Sequence, residues 1–210
     1  MRVDALRPYE AALHDAAALE LYCPDGRTLQ LDVARWLAPI DSVDATVVER
    51  CLGPTLDVGC GPGRFVSALI ERGVPALGVD IAKTAVDLTR SRGMPALRRS
   101  VFDRVPGAGR WPTILLMDGN IGIGGDPARL LLRLRSLLGL RGTLIVEAHC
   151  AEDADEQLLV RFSVAGEAVG PSFGWAHVGT PALRRYAATT GLQVSESWAA
   201  GGRTFVAFTA

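Results

Sequence analysis

From Thr55 to Ala148, short apolar runs alternate with stretches whose apolar residues recur every three to four positions. The first kind reads as buried strands and the second as amphipathic helices. The strands are TLDV at 55–58, ALGVD at 76–80, ALRRS near Ala96, TILLMD at 113–118 and TLIVEA at 143–148. Between them, helices are expected through Glu71, around Ala82 to Ser91, and along ARLLLRLRSLL after Asp126-Pro127. Phe65, Val66, Leu69 and Ile70 share one stripe at helical spacing. The 113–118 run is apolar almost throughout, which suits a central strand covered on both faces. Pro127 in the first turn and Asp126 as cap are start signals for the last helix. Strand and helix in regular alternation build a parallel sheet clad on both sides.

Outside that stretch the rhythm changes. The run YEAALHDAAALE predicts an alanine-rich helix from about Pro8 to Glu20. A hairpin should follow, LELYC and TLQLDV about the turn Pro24-Asp25-Gly26-Arg27, where Asp-Gly supplies a positive φ. Arg35, Trp36 and Leu37 lead into a short helix from about Asp41 to Cys51, with Asp41 or Ser42 as cap. Residues 158–178 read as an inserted antiparallel pair that bends at Gly166 or at Gly170-Pro171. A helix from about Thr180 to Thr190 precedes two closing strands, LQVSESWA and RTFVAFT, reversed by Gly201-Gly202. No repeats or low-complexity segments break the chain. One domain is expected over 1–210, with a cap or lid over 1–52 and a core over 53–210.

Composition narrows the partners. A chain of 210 residues, 49% hydrophobic, is long enough to bury a core. The net charge of −1 weighs against a nucleic-acid partner, since neutralising phosphates takes a basic surface. Lys83 is the only lysine, an arginine bias of high-GC coding of the actinobacterial type, and it carries no functional weight. Cys23, Cys51, Cys60 and Cys150 lack metal-ligand spacing and read as reduced thiols of a cytoplasmic protein. No run suits a signal peptide or a membrane span, so no membrane partner is expected, and a homodimer is left open.

The segment Thr55–Phe65, TLDVGCGPGRF, carries the chemistry. Glycines at alternate positions remove Cβ atoms that would keep a ligand off the backbone. The turn opens on a helix N-terminus, where main-chain N–H groups can meet a ligand. Asp57, two residues ahead of the first glycine, suits a ligand bearing an ammonium group. Asp80 ends the next strand, where a carboxylate can accept hydrogen bonds from ribose hydroxyls. A nicotinamide-binding G-x-G-x-x-G would need a third glycine where this chain has Arg64 or Phe65, and Asp57 would repel a pyrophosphate.

The pattern DVGCGPGR with its spaced Asp80 resembles motif I and the acidic second motif of class I S-adenosylmethionine-dependent methyltransferases. The resemblance implies an α/β fold: a Rossmann-like doubly wound seven-stranded sheet with an antiparallel terminal hairpin, plus an N-terminal helix/hairpin cap. It implies S-adenosyl-L-methionine as cofactor and S-adenosyl-L-homocysteine as product. By that resemblance Gly59, Gly61 and Gly63 let the methionine portion lie along the first loop, with Cys60 contributing backbone only. Asp57 holds the amino group, Asp80 binds the ribose, and Ile81 packs on the adenine face. The adenine edge falls to Ser100-Val101-Phe102-Asp103. There the usual family aspartate aligns with Ser100, so either Ser100 or Asp103 takes that role.

Asp118, Gly119 and Asn120 follow the fourth strand, at the sheet edge where ligands of open α/β folds bind. They are expected to face the methionine end and the incoming substrate. The loop MDGNIGIGGDP is not the N/D-P-P-Y/F motif of amide and base amino-methyltransferases, and no Pro-Cys nucleophile of cytosine-5 enzymes is present. Methyl transfer needs two partners held in line at about 3–3.5 Å, and a base when the acceptor is an alcohol. Candidates for catalysis are His149 after the fifth strand, His177 in FGWAHVG, and Asp118. Phe173 and Trp175 beside His177 offer an apolar wall for a planar acceptor. His14 reads as a surface residue, and Arg203 could pair with an acidic substrate. No further carboxylate joins Asp118 and Asn120 at a metal-binding spacing, so no metal is expected. The expected function is S-adenosylmethionine-dependent methyl transfer to a small-molecule acceptor. The alternatives are an RNA or protein methyltransferase and a non-catalytic S-adenosylmethionine-binding protein.

Overall fold

The computed structural model describes residues 3–210. A 3-10 turn, Val3–Leu6, runs into α1 (Arg7–Asp15), β1 (Leu19–Tyr22), β2 (Thr28–Leu31), α2 (Val33–Leu37) and α3 (Ser42–Val48). The alternating region follows as β3 (Thr55–Val58), α4 (Arg64–Glu71), β4 (Ala76–Asp80), α5 (Lys83–Ser91), β5 (Ala96–Arg98) and β6 (Trp111–Leu116). It ends with α6 (Pro127–Leu137) and β7 (Leu138–Ala148). Then come β8 (Asp155–Val164), β9 (Glu167–Val178), α7 (Thr180–Thr189), β10 (Gln193–Ala200) and β11 (Arg203–Thr209).

Seven of these strands form one sheet in the order β10-β11-β7-β6-β3-β4-β5. The five strands from β7 to β5 pair in parallel, and the hairpin β10-β11 joins β7 antiparallel. This is the doubly wound seven-stranded sheet with the terminal hairpin. Burial explains its run of apolar strands. Ile114 and Leu116 pack into one cluster with Leu130, Leu134 and Leu183, while Leu115 and Met117 pack into another with Val47, Phe65 and Leu69. Side chains alternate between the two faces, so both faces of a central strand must be apolar. The expected caps are in place: Asp126 accepts from Arg129 N at 3.0 Å, and Asp41 accepts from Asp44 N at 2.7 Å within a capping box.

A second sheet, β2-β1-β8-β9, joins the N-terminal hairpin to the hairpin inserted after β7. Both hairpins were expected, but separately. Their union follows from the weakness of an isolated two-stranded ribbon in water. Pairing Leu21 with Phe162 across β1 and β8 puts Leu19, Leu21, Val160, Phe162 and Phe173 in one buried cluster. The insert turns at Ala165-Gly166 and not at Gly170-Pro171. Three boundaries also move. Helix α1 stops at Ala16, which is left-handed at φ 51°, so Glu20 belongs to a strand. β6 ends at Leu116, before Asp118, and α3 ends at Val48.

A carboxylate on α1 ties this cap to the start of α5. The Glu10 carboxylate on α1 accepts from Lys83 N at 2.6 Å and Thr84 N at 3.4 Å. Helix α5 has no side-chain cap of its own, because Ala82 stands at its N-cap. A carboxylate there satisfies orphan amides and favours the positive end of the helix dipole. Among the described residues, no helix is long and apolar enough to cross a membrane.

Candidate functional site

Between the carboxyl ends of the parallel strands and the cap sheet lies a cavity of about 760 Å³. That volume is within the range of small-molecule sites, about 300–1,000 Å³. Its floor is the β3–α4 turn, the tips of β4 and β6, and the segments after β5 and β6. Of the expected residues, Asp57, Gly59, Cys60, Gly61, Asp80, Ile81, Ser100, Val101, Phe102, Asp118 and Asn120 all line it.

The glycine turn works differently from expectation. Its amides are spent inside the protein: Gly59 N and Cys60 N donate to Val79 O at 2.9 and 3.2 Å, and Gly63 N donates to Cys60 O at 3.0 Å. Gly61 N donates to Asp80 Oδ2 at 3.0 Å. The glycines serve close approach instead. A Cβ on Gly59, at φ 70°, would lie 2.5 Å from Asn120 Nδ2, which donates to Val58 O and Gly59 O at 3.1 and 2.9 Å. Asn120 thus clamps the turn from the opposite loop. Gly63 does not face the cavity: a Cβ there would meet Thr89 Cγ2 at 2.5 Å, so this glycine lets α4 pack on α5. Cys60 is buried with its Sγ against Gly78, consistent with a backbone role at most.

Three carboxylates shape the floor. Asp57 is buried, and its Oδ2 finds no hydrogen-bond partner among the described residues. Burial first, then the neighbouring Asp118 and Asp80, push its pKa up to about 8. Asp80 is also raised by burial, against the pull of the Ala82 and Gly61 amides, whose hydrogen bonds fix its orientation. Asp118 occupies a left-handed conformation at φ 56° as the chain leaves β6. An orphaned, buried carboxylate oxygen in a cavity of this size fits a ligand that carries a cationic donor.

Asp118 belongs to a network that the sequence did not reveal. The Arg64 guanidinium donates to both Asp118 oxygens at 2.8 and 2.6 Å and pairs with Asp44. Asp44, 1% exposed on α3, also accepts from Arg35 at 2.9 Å and Arg203 at 2.6 Å. Arg203 makes a two-pronged pair with Glu147 at 2.7 and 2.6 Å, and Glu147 Oε2 accepts from Asp118 N at 2.8 Å. Burial alone would raise Glu147, but the Arg203 guanidinium holds it below the usual glutamate value. Arg203 is therefore a half-buried partner of three carboxylates and not a solvated turn residue awaiting an acidic substrate. Three cations and three anions close on one another, with Arg64 and Asp118 facing the cavity.

The roof contrasts with this floor. It comes from the N-terminal segment and the β8–β9 insert, and includes Leu6, Tyr9, Trp36, Phe162, Phe173 and Trp175. Phe173 and Trp175 line the cavity, as the apolar wall required. Gly125 and Gly174 bring the loop after β6 against β9, where either Cβ would meet backbone at about 3 Å.

Four further expected residues lie off the cavity. Asp103 does not line it; Ser100 does, and Arg133 donates to the Asp103 and Val101 carbonyls at 2.6 and 2.8 Å. Gly119 faces open space and supplies only a positive φ of 77°. His149 and His177 do not line the cavity. His149 N donates to Val178 O at 2.8 Å, which turns the chain towards β9 and stacks the two imidazoles at 4.5 Å. Burial, then the adjacent His149, hold His177 below the ordinary imidazole value, and Glu156 lies 3.6 Å from its Nδ1. The pair joins core to cap, outside the cavity lining.

Comparison with solved structures places the fold. A S-adenosylmethionine-dependent methyltransferase from Bacteroides fragilis, solved with S-adenosyl-L-homocysteine, superposes with TM-score 0.82 over 100% of this chain and 97% of its own, at 22% identity. The chain has the S-adenosylmethionine-dependent methyltransferase fold. The 1,6-didemethyltoxoflavin-N1-methyltransferase of Burkholderia thailandensis superposes with TM-score 0.57 over 99% of this chain and 78% of its own, at 15% identity. In sequence, 87 residues are 32% identical to a ubiquinone biosynthesis O-methyltransferase of Alkalilimnicola ehrlichii. That match covers 39% of this chain and about a third, 33%, of the relative. No protein-family model matches the chain.

Proposed function

We propose that the protein is a S-adenosylmethionine-dependent methyltransferase that acts on a small-molecule acceptor. The observation that carries this reading is the cluster of Asp57, Asp80 and Asp118 around one cavity, with the Asp57 oxygen orphaned. Bound there, S-adenosyl-L-methionine supplies a methyl group on a cationic sulfur, whose loss leaves a neutral thioether. Asp57 would take the amino group of the amino-acid tail. Asp80, locked by two amides, retains lone pairs for ribose hydroxyls. Ile81 and Phe102 would sandwich the base, with Ser100 at its edge.

The chain's own residues then exclude water and align the acceptor. Proximity of this kind can account for several kcal/mol of a barrier, about 7–11 at best. One continuous cavity joins floor and roof, which favours turnover over cofactor storage. The neighbour from Burkholderia thailandensis binds 1,6-didemethyltoxoflavin and S-adenosylhomocysteine together, in keeping with a small acceptor. The cap, α1 with the four-stranded sheet, acts as the lid over that acceptor.

Calorimetry should show S-adenosyl-L-homocysteine binding at about micromolar strength, near −8 kcal/mol. Asp80→Ala should weaken it by more than about tenfold, through loss of a charged hydrogen-bond acceptor. Unaltered affinity in that variant, or preferential binding of a nicotinamide dinucleotide, would overturn the assignment.

A further inference from the structure

We infer that the roof half of the cavity receives a neutral, ring-bearing acceptor, oriented by the hydroxyl of Tyr9. The inference rests on the methyltransferase reading and names the substrate class for the same site. Five rings form an unbroken file along the roof. Trp36 meets Tyr9 edge-on at 5.9 Å, Tyr9 lies parallel to Phe162 at 6.5 Å, and Phe162 tilts on Phe173 at 4.9 Å. Phe173 then meets Trp175 edge-on at 6.4 Å. All five line the cavity. Ring faces and edges reward a second aromatic system beyond the gain from buried area.

Charge argues the same way. Among the described residues, every Asp and Arg lining the cavity belongs to the floor or its rim, and the roof contributes no charged side chain. The lining charges already have duties: Arg64 and Asp118 are bound to each other, Asp80 is bound to two amides, Arg99 at the rim donates to Arg104 O, and Asp57 is the ammonium partner in the reading above. A charged acceptor would leave water for a surface with no counterion, which is costly.

Tyr9 supplies the polar handle. Helix α1 carries its hydroxyl to within 3.5 Å of where a Gly61 Cβ would stand, the place where roof meets floor. Burial, then the nearby Asp80 carboxylate, keep this phenol protonated far beyond neutral pH. A neutral phenol can both donate and accept. It can therefore bind a hydroxyl, amine or ring nitrogen on an otherwise apolar ring. Ser172 adds the roof's other hydroxyl, but it stands on β9 and not beside the glycine turn.

The test uses calorimetry on the full chain saturated with S-adenosyl-L-homocysteine, with three probes of one skeleton. 2-Naphthol should bind, 2-naphthoate should bind about tenfold more weakly or worse, and decahydro-2-naphthol at least about threefold more weakly. Tyr9→Phe, kept saturated with S-adenosyl-L-homocysteine, should cost 2-naphthol about fivefold. Equal affinity for naphthoate, equal affinity for the saturated ring, or no 2-naphthol binding overturns the substrate class. An unchanged 2-naphthol affinity in Tyr9→Phe overturns the role of Tyr9. If S-adenosyl-L-homocysteine itself fails to bind, the cofactor reading falls, and 2-naphthol titrated into the ligand-free protein still decides the roof.

Discussion

The floor and the roof of one cavity are built on opposite principles. The floor gathers Asp57, Asp80, Asp118 and Arg64, groups whose value depends on position to a fraction of an ångström. All but Asp57 are held by a named partner, amides for Asp80 and Arg64 and Asp118 for each other, and Asn120 clamps the turn itself. The roof instead presents rings and aliphatic side chains from segments more than a hundred residues apart in sequence, such as Tyr9 and Phe162. Packing of that kind tolerates exchange of one apolar residue for another of similar volume. On the function proposed above, the contrast suits a precisely held cofactor on the floor and an acceptor received by packing at the roof.

Breaking the floor should cost most. Asp44 accepts from Arg35 and Arg203 and pairs with Arg64, so Asp44→Ala leaves three guanidiniums competing for Asp118 and Glu147. Removing one member of a buried ionic set costs about 3–5 kcal/mol. Denaturant unfolding should show a loss of that size; a loss below about 1 kcal/mol, the range of exposed pairs, would mean the network does not hold the floor. The roof should yield less. Phe162→Ala removes a buried ring, but the ring already borders open space, so about 2–3 kcal/mol is expected, at the lower end for such truncations. S-adenosyl-L-homocysteine affinity should hold within about threefold. A collapse of cofactor binding in Phe162→Ala would show that the two regions are one.

The same division governs what could be read from the chain beforehand. The order of elements, the parallel core and the positions of Asp57 and Asp80 at strand ends follow from local periodicity within single strand–helix units, while the doubly wound seven-stranded topology came from the resemblance carried by DVGCGPGR and Asp80. The glycines pointed to the right turn, but not to the destination of its amides, because Val79 and Asp80 lie on another strand. The ionic network joins positions 35, 44, 64, 118, 147 and 203, a set no spacing rule connects. A hint existed only in Arg64, a charged residue inside an otherwise apolar helix start. The merged cap sheet depends on β1 meeting β8, a closure across the whole core that pattern alone does not specify. His149 sat at the right edge of the sheet, yet its backbone bond to Val178 turns it towards the insert.

Asp57 gives the finest probe of the floor, through pH. Its folded pKa of about 8 stands above the unfolded value of 3.8. Between those two values the folded protein keeps a proton that the unfolded chain has released. Stability therefore falls as pH rises through the window from about 4 to about 8, and Asp57→Asn should remove that part of the slope. An ammonium group beside Asp57 reverses the preference, because the ionised carboxylate becomes the better partner. Binding of S-adenosyl-L-homocysteine should then expel a proton below pH 8. Affinity should climb by up to about tenfold per pH unit from about pH 6 to pH 8, or about 1.4 kcal/mol per unit. Calorimetry at pH 7 in two buffers of different ionisation enthalpy counts the proton directly. Asp57→Asn should show none and a flat affinity across the same range. A proton released equally by wild type and variant would place the titrating group elsewhere, and the orphaned oxygen would no longer mark the ammonium subsite.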